Sequence, residues 1–558
     1  MNLDIDRLIR RSDYLFSTPE RYNSETMWAE ITEFMLNNQT TNNYKTAIFS
    51  GDVFSSLTAS SAAPGSKKTR RLYDSTALQC VQDLASAFQG TLTNPVTIWS
   101  RLRYKDEVLN NSEEANIWLD KSNIVMHNMF NESNFNTEIA KAYQSYVSIA
   151  NMAMLHEETY DENTGLFSGF NFTALHMSRI AWTENRFGIV DTIFRKFELT
   201  ARQAFNRWGE EVHDGILKCL EQEPDKSFSF LHCIFPRDRS NIILDELGLA
   251  PGSKRPIASI YIDISNKKIV EDSGYYEMPV YASRYGLAPG EVYGRGPGHL
   301  SLPDVRTLNQ LKMRGLEAID LQVRPPLFAN QRDVFGQLNL RPGGVSIVKS
   351  HAGIREFISQ ARNDILNFNV EDLRNSIRSI FHLDKLLLPP RTETGEMTAY
   401  EVSQRIEQMQ RVLGPTLSRL NNEFLNPLII RSFKILLRAG ALPEVPQIVR
   451  DRGIDIEISF VNQLARAQQI QDVTTIQQWI QGLAGIAQFN PAVLDLINVD
   501  GIAKHTAKVL GVPEEAVQNE DTVTAIRQQR AQAQQQASQL ESMVKGADVA
   551  SKLNMSAA

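Results

Sequence analysis

The chain has 558 residues, 42% of them hydrophobic and 22% charged, a globular balance that excludes a disordered or fibrous protein. At ordinary domain sizes that length predicts about three to four domains. A formal net charge of −7 excludes a generic polyanion binder, so any nucleic-acid role has to be local or rest on weak contact. The only cysteines, Cys80, Cys219 and Cys233, form no C-x-x-C or Cys/His run, and they read as buried core thiols in a reducing compartment. The N-terminus, MNLDIDRLIRRSDYLF, lacks the apolar stretch of a signal peptide. The densest apolar run, Leu428 to Leu437, is interrupted by Arg431, Ser432 and Lys434, so no membrane span is expected.

The first stretch, to about residue 155, reads as helical. Ser17 is the expected cap of a helix with Pro19 and Glu20 in its first turn. Residues 52–70 are rich in Ser, Ala and Thr without an apolar period and read as a loop. After it Asp74 or Ser75 caps a helix whose apolar face is Ala77, Leu78, Val81, Leu84, Ala85, Phe88 and Leu92, and Asn94-Pro95 stops it. Further helices are expected near 112–131 and 134–155.

From 166 to about 195 short β-prone runs take over: LFSGFNF, ALHMSRIAW and FGIVDTIF. Thr200-Ala-Arg-Gln203 is a capping box that predicts a helix to about Glu221. Residues 228–284 read as a separate small β unit with strands FSFLHCIF, PIASIYIDI, KKIVED and EMPVYASRY. Ser301 to Asp304 predicts the start of a helix running to about Arg324 and ended by Pro325-Pro326. Residues 326–352 form an irregular Gly/Pro-containing loop, long enough to suspect a function. A second capping box, Thr398 to Glu401, opens a helix to Ala439, with Gly440 as its left-handed terminator and kinks expected at Gly414-Pro415 and Pro427. Helices near 461–489, 501–510 and 521–552 complete an α+β, predominantly helical chain.

Catalytic patterns are missing. There is no phosphate loop with the G-x-x-x-x-G-K-[ST] spacing, no G-x-S-x-G elbow and no H-E-x-x-H helix. The run Gly294-Arg295-Gly296-Pro297-Gly298 resembles a phosphate cradle only loosely, because its proline removes an N–H donor. The scattered histidines pair nowhere at ligand spacing. Lys67, Lys68, Arg70 and Arg71 read as a solvated loop rather than a phosphate grip. No cofactor and no metal are expected, and no enzymatic activity.

Four collinear blocks carry a family resemblance. They are Tyr73-Asp-Ser-Thr-Ala77 followed by Leu92-Thr-Asn-Pro95 and Trp99; GEVYGRGPGHLSLPDVRTLNQL at 290–311; EMTAYEVSQRIEQMQRVLGPTLSRLNNEFLNPLIIRSFKILLRAGALP at 396–443; and ARAQQ at 465–469 with IRQQRAQAQQQ at 526–536. Over about residues 20–540 the chain resembles the head-to-tail connector, or portal, proteins of short-tailed bacteriophages. Within these blocks Tyr73, Asp74, Gly290, Tyr293, Gly294, Pro297, Thr398, Glu401 and Pro427 are the expected structural positions.

The resemblance implies a homo-oligomeric ring, usually of twelve subunits, at one capsid vertex of the virion, assembled in the host cytoplasm. Double-stranded viral DNA would pass through it without sequence specificity. The implied partners are the large terminase subunit, tail adaptor proteins, scaffold and major capsid proteins and internal core proteins, with no membrane. The implied organisation is a wing over 1–198, a first stem helix over 199–223, a clip over 224–298 and a second stem helix over 299–325. A tunnel loop over 326–352, a wing return over 353–455 and a crown with helical barrel over 456–558 would follow. On that topology Arg324, Arg332, Arg341, Lys349 and Arg355 are the channel-facing candidates, and Pro325, Pro326, Gly343 and Gly344 the loop hinges. A portal-associated adaptor or scaffold and a nucleotide-driven packaging enzyme are the competing readings; the second needs a phosphate loop the chain lacks.

Overall fold

The computed structural model describes residues 5–36, 72–161, 164–237, 252–323, 327–329, 354–356, 363–383, 413–453 and 456–460, with short helical stretches between 476 and 533. Its elements in chain order are α1 (Ile5–Phe16), α2 (Pro19–Met35), α3 (Thr76–Leu92), β1 (Ser100–Tyr104), α4 (Glu113–Glu132), α5 (Phe135–Ser148), β2 (Asn151–Tyr160), β3 (Phe167–Leu175), β4 (Ile180–Glu184) and β5 (Val190–Thr200). Then come α6 (Ala201–Trp208), α7 (Asp214–Gln222), β6 (Ser227–Pro236), β7 (Ile257–Asp263), β8 (Lys268–Tyr275), β9 (Val280–Arg284) and α8 (Pro297–Val323). The pair β10 (Leu327–Ala329) and β11 (Ile354–Glu356), α9 (Asn363–Ile380), α10 (Asn426–Arg438) and β12 (Ile456–Phe460) close the series. The mixture of helix and sheet agrees with the α+β expectation.

Two compact units share the chain: residues 1–96 with 128–439, and residues 97–127 with 440–558. In the smaller unit β1 pairs antiparallel with β12, Ser100 opposite Phe460. Asn123 donates to the Ser100 carbonyl at 2.9 Å, and the Trp118 indole donates to the Pro443 carbonyl at 3.0 Å.

Beside the β10–β11 pair, the larger unit holds two larger antiparallel sheets among the described residues. One runs β4-β5-β6-β7-β8 and the other β3-β2-β9. The separate β unit expected over 228–284 is therefore corrected. Its first three strands extend the sheet begun by β4 and β5, and its fourth, β9, pairs with β2. Alternation explains why both faces of the five-stranded sheet are covered. Phe194, Leu231, Cys233, Ile260 and Ile262 pack under α1, while Phe197, Phe230 and Tyr261 pack under α6 and α7 with Trp208.

Strand β3 is an edge, and three of its outward backbone groups are occupied. The Asn134 side chain donates to the Phe172 carbonyl and accepts from the Phe172 N–H, both at 2.8 Å, and Glu138 accepts from the Ala174 N–H at 2.8 Å. Helix α5 and the turn before it thus supply the hydrogen bonds another strand would otherwise offer.

Several local expectations change. The cap of α2 is Thr18, whose hydroxyl accepts from the Arg21 N–H, while Ser17 donates back to the Tyr14 carbonyl. The helix expected over 134–155 stops at Ser148, and residues 151–160 form β2. Its Met, Leu, Ala and Glu content favours helix, but pairing with β3 on one side and β9 on the other overrides that propensity. The capping box at Thr200 is present, with Gln203 returning its bond, yet the expected 200–221 helix is broken. Gly209, at φ +59°, turns the chain out of α6 after eight residues, and His213 caps α7. Helix α8 begins at Pro297 rather than Ser301 and carries Pro303 inside it. Cys80 and Cys233 are buried, but Cys219 is only half-buried.

In the last block residues 413–420 are helical, Asn421–Leu425 form a π turn and α10 follows. Pro427 has no N–H for the carbonyl four residues back, and the wider turn, in which the Asn426 N–H bonds Asn421, delivers the chain past it. Ala439 caps α10 and Gly440 adopts φ +66°, as expected of a left-handed terminator. Of the apolar residues at helical spacing in the 398–439 segment, Leu413, Leu417, Leu420 and Phe424 are buried core; Val402, Ile406 and Met409 lie outside the described residues.

Candidate functional site

The glycine-rich segment 290–298 leads from the sheets into α8, and its sequence is dictated by close approach. A Cβ on Gly298 would lie 2.0 Å from the Ser148 carbonyl oxygen, and one on Gly294 2.5 Å from that of Ala150. Only glycine lets the backbones meet there. Gly290 turns the chain at φ +83°. Asn151 accepts from the Gly294 N–H at 2.8 Å and donates to the Gly294 carbonyl at 3.2 Å. Glu20, on α2, accepts from the N–H groups of Val292 and Tyr293 at 2.7 and 3.2 Å. These N–H groups bind protein, so the segment is a structural descent and not a phosphate cradle. Tyr293 is buried between Trp28 and Trp182 and beside the Arg21 guanidinium. Pro297 occupies the first position of α8, where no N–H is required.

Below this descent α8 and α9 form a helical hairpin. Ser376 of α9 donates to Asp304 of α8 at 2.8 Å, and β10 pairs antiparallel with β11 at the other end, so the two helices run in opposite directions. The Tyr73-Asp74 block ties both helices to the body. Asn309 on α8 accepts from the Tyr73 and Asp74 N–H groups at 2.9 and 3.2 Å, and Arg374 on α9 grips the Asp74 carboxylate at 2.7 Å. Burial pushes the Asp74 carboxyl up, but bonds from Thr76 and Arg374 more than reverse this and hold it below its ordinary 3.8. Arg306 is paired with Glu30 of α2. Beyond it Arg314, Leu316, Glu317, Ile319 and Asp320 are all exposed, so the distal half of α8 leaves the body.

Three fully buried arginines clamp elements far apart in sequence, and no sequence motif announces them. Arg21 bonds Glu25 and the Met177 carbonyl. Arg284, at the end of β9, is paired with Glu184 and with Glu423 at 2.8 Å, and donates to the Gly188 carbonyl at 2.8 Å. Arg431 reaches the Glu277 carbonyl at 3.1 Å and the Glu158 carboxylate at 3.3 Å, while Arg438 binds Glu277 with two bonds. One signal was available for Arg431. It falls on the period of Leu428, Ser432 and Ile435, the buried face of α10, where a charge needs a partner.

The structure therefore places Gly290, Tyr293, Gly294 and Pro297 in the descent into α8, Tyr73 and Asp74 against Asn309 and Arg374 further along the hairpin, and Pro427 just after the π turn. Thr398 and Glu401 lie outside the described residues, as do Arg324, Arg332, Arg341, Lys349, Pro325, Pro326, Gly343 and Gly344. The backbone of Arg355 lies in β11. Among the described residues no group of three or more His, Cys, Asp or Glu is placed to hold a metal ion, and no helix is long and apolar enough to cross a membrane.

Residues 17–517 match the family of bacteriophage head to tail connecting proteins, and the chain belongs to that family. It is 28% identical over 499 residues to a protein of Bordetella phage BPP-1 described as a probable portal protein, spanning 88% of this chain and 87% of that one. It is also 27% identical over 486 residues to the portal protein of Salmonella phage epsilon15, spanning 86% and 85%. The family match takes in the first three blocks and ARAQQ at 465–469 of the fourth.

Proposed function

We propose that copies of this chain close into a ring, usually of twelve subunits, at one vertex of the virion capsid, through which double-stranded DNA is packaged and later ejected. The large terminase subunit would dock on it during filling and tail adaptor proteins afterwards. Scaffold, major capsid and internal core proteins would be its neighbours during assembly in the host cytoplasm. The protein acts as conduit and docking surface, without chemistry of its own. The observation that carries this reading is the match to one portal protein and one probable portal protein, each over more than four fifths of both chains. A net charge of −7 per copy suits a channel that must let DNA slide, since every neutralised phosphate adds affinity through counterion release.

Within that reading the two stem helices are α8 and α9. The helices first expected to begin the stem, α6 and α7, have eight and nine residues, or roughly 12–14 Å each at 1.5 Å per residue. With 27 and 18 residues, α8 and α9 reach roughly 40 and 27 Å. In the family order the clip lies between the stem helices, which assigns it to the segment between Val323 and Asn363. The candidates Arg324, Arg332, Arg341, Lys349 and Arg355 then belong to the clip.

Native mass spectrometry of the purified chain, followed by electron-microscope imaging, tests the reading. A closed ring with an axial hole wide enough for duplex DNA is the expected result. A chain that stays monomeric with and without scaffold protein would overturn it.

A further inference from the structure

Helix α1 packs one face on the five-stranded sheet and turns the other outward. Ile5, Leu8, Ile9, Leu15 and Phe16 join the core beneath it. Arg7, Arg10, Arg11, Asp13 and Tyr14 are exposed. The arginines stand at i, i+3 and i+4, on one side of the helix. Both carboxylates of α1 are already engaged by cations from the sheet: Asp6 with Lys267 at 2.8 Å, and Asp13 with Lys196 at 2.7 Å. The helix is thus stitched down by its acids. Arg10, Arg11, Lys196 and Lys267 face Asp6 and Asp13, and counting Glu198, exposed further along β5, still leaves an excess of one positive charge on a chain whose total is −7. Exposed arginines elsewhere are of two kinds: Arg295 is matched with Glu291, Arg306 with Glu30, Arg378 with Glu371 and Arg452 with Asp106, whereas Arg103, Arg179, Arg186, Arg202 and Arg314 have no carboxylate in salt-bridge contact among the described residues, and none of these five shares a helix face with a second such arginine. Among the described residues Arg10 and Arg11 have no carboxylate in salt-bridge contact, and the Arg11 guanidinium lies over the Tyr14 ring at 5.6 Å.

We propose that the outer face of α1 is a duplex-DNA contact, with Arg10 and Arg11 as its centre and Arg7 and Tyr14 beside them, taking the phosphate backbone without reading sequence. The chemistry of the face selects the ligand. A protein partner would need an apolar centre to the patch, and no aliphatic side chain is exposed on this helix. Guanidinium groups match phosphate oxygens with paired hydrogen bonds, and a helix already anchored by its apolar face loses little freedom on binding. Small excess charge keeps the contact weak and salt-sensitive, which a moving duplex requires. The inference rests on DNA being the cargo, but it places a contact on the wing body, outside the stem and clip.

The test measures fluorescence anisotropy of a short labelled duplex of mixed sequence against the assembled full-length protein across a KCl series. Arg10→Ala with Arg11→Ala is expected to lower the salt slope by about 0.9 per lost phosphate contact and the affinity by about 10-fold or more at low salt. Arg10→Lys with Arg11→Lys is expected to restore the slope, and native mass spectrometry checks that both variants still form the ring. A ring whose slope is unchanged in the alanine variant overturns this proposal alone, and an acidic protein surface then becomes the partner to test. A chain that forms no ring and binds no DNA overturns the portal reading as well.

Discussion

The Arg374 guanidinium reaches the Asp74 carboxylate with two of its nitrogens, at 2.7 and 3.1 Å, joining residues 300 positions apart in sequence. Asp74 is 2% exposed in its side chain and Arg374 30%, so the acid is sealed and the base remains half in solvent. The pair fixes the second helix of the hairpin to the cap region of α3. Asp74→Ala is expected to cost about 2 kcal/mol, the scale of a charged hydrogen bond, and to raise amide exchange along α9 before the sheets respond. The carboxyl is held below 3.8, so the unfolded state binds the proton first as pH falls. The contribution is present above pH 3.8 and lost as pH falls through the lower folded value. Denaturant unfolding of wild type and Asp74→Ala should therefore converge below that range.

Replacing Arg284 tests the clamp between the two sheets and the π turn. Arg284→Leu leaves Glu184 and Glu423 without their shared cation, and a loss of about 3–5 kcal/mol is expected. Urea unfolding of the purified chain is the measurement. A loss near zero would mean that both carboxylates find water instead.

Two glycine substitutions should diverge. In Gly298→Ala the new methyl would meet backbone at 2.0 Å, with no side chain able to yield, so soluble protein is expected to be lost. Gly90 sits in α3 with nothing within 4 Å of its added Cβ, and Gly90→Ala should stabilise the chain by about 1 kcal/mol. Expression level and thermal midpoint distinguish the two.

Acid sensitivity should begin well above the carboxylate range. Burial lowers His156 and His232 far below 6.5, aided by Arg431 beside the first and by Arg195 and Arg207 beside the second. Burial, with nearby arginines, also brings His176 and His299 down to about 4. These imidazoles are neutral when folded, and the unfolded chain takes up protons first below pH 6.5. Stability is full above that value and declines toward pH 4, by about 1.4 kcal/mol per pH unit for each fully buried ring. His232→Gln, which can keep a bond to Ser259, should flatten the slope by one such increment in pH-resolved unfolding.

Changing Arg332 and Lys349 to Ala should leave ring assembly intact and alter DNA packaging or retention, read as packaged genome per particle. Unchanged packaging and retention would remove both residues from the mechanism.

Much of this fold was legible because single-period patterns carry it. The face of α3 from Ala77 to Leu92 repeats as a helix should, and the strands from Phe228 to Tyr285 alternate or run apolar. What stayed hidden is non-local. Strand β2 has helix-favouring residues and becomes a strand only because two others pair with it. The same register places β6 beside β5 and dissolves the apparent boundary at residue 228. At the root of the hairpin the motif residues Asp74 and Tyr293 were visible, but their partners Asn309, Arg374, Glu20 and Arg21 were not. A pair such as Asp74 and Arg374 leaves no trace in composition or spacing, since the residues are 300 positions apart and neither names the other.

The occupied edge of β3 bears on how many copies of this chain can coexist. A subunit that must gather beside its own kind at high local concentration risks joining sheets into an endless ribbon. Asn134 and Glu138 close that route on the small sheet, because an incoming strand would have to displace three bonds of 2.8 Å at Phe172 and Ala174 before making its own. Association along this edge is thereby handicapped, and a finite assembly gains over an open-ended one. A double change of Asn134 and Glu138 to Ala should shift the purified chain from discrete particles toward filaments.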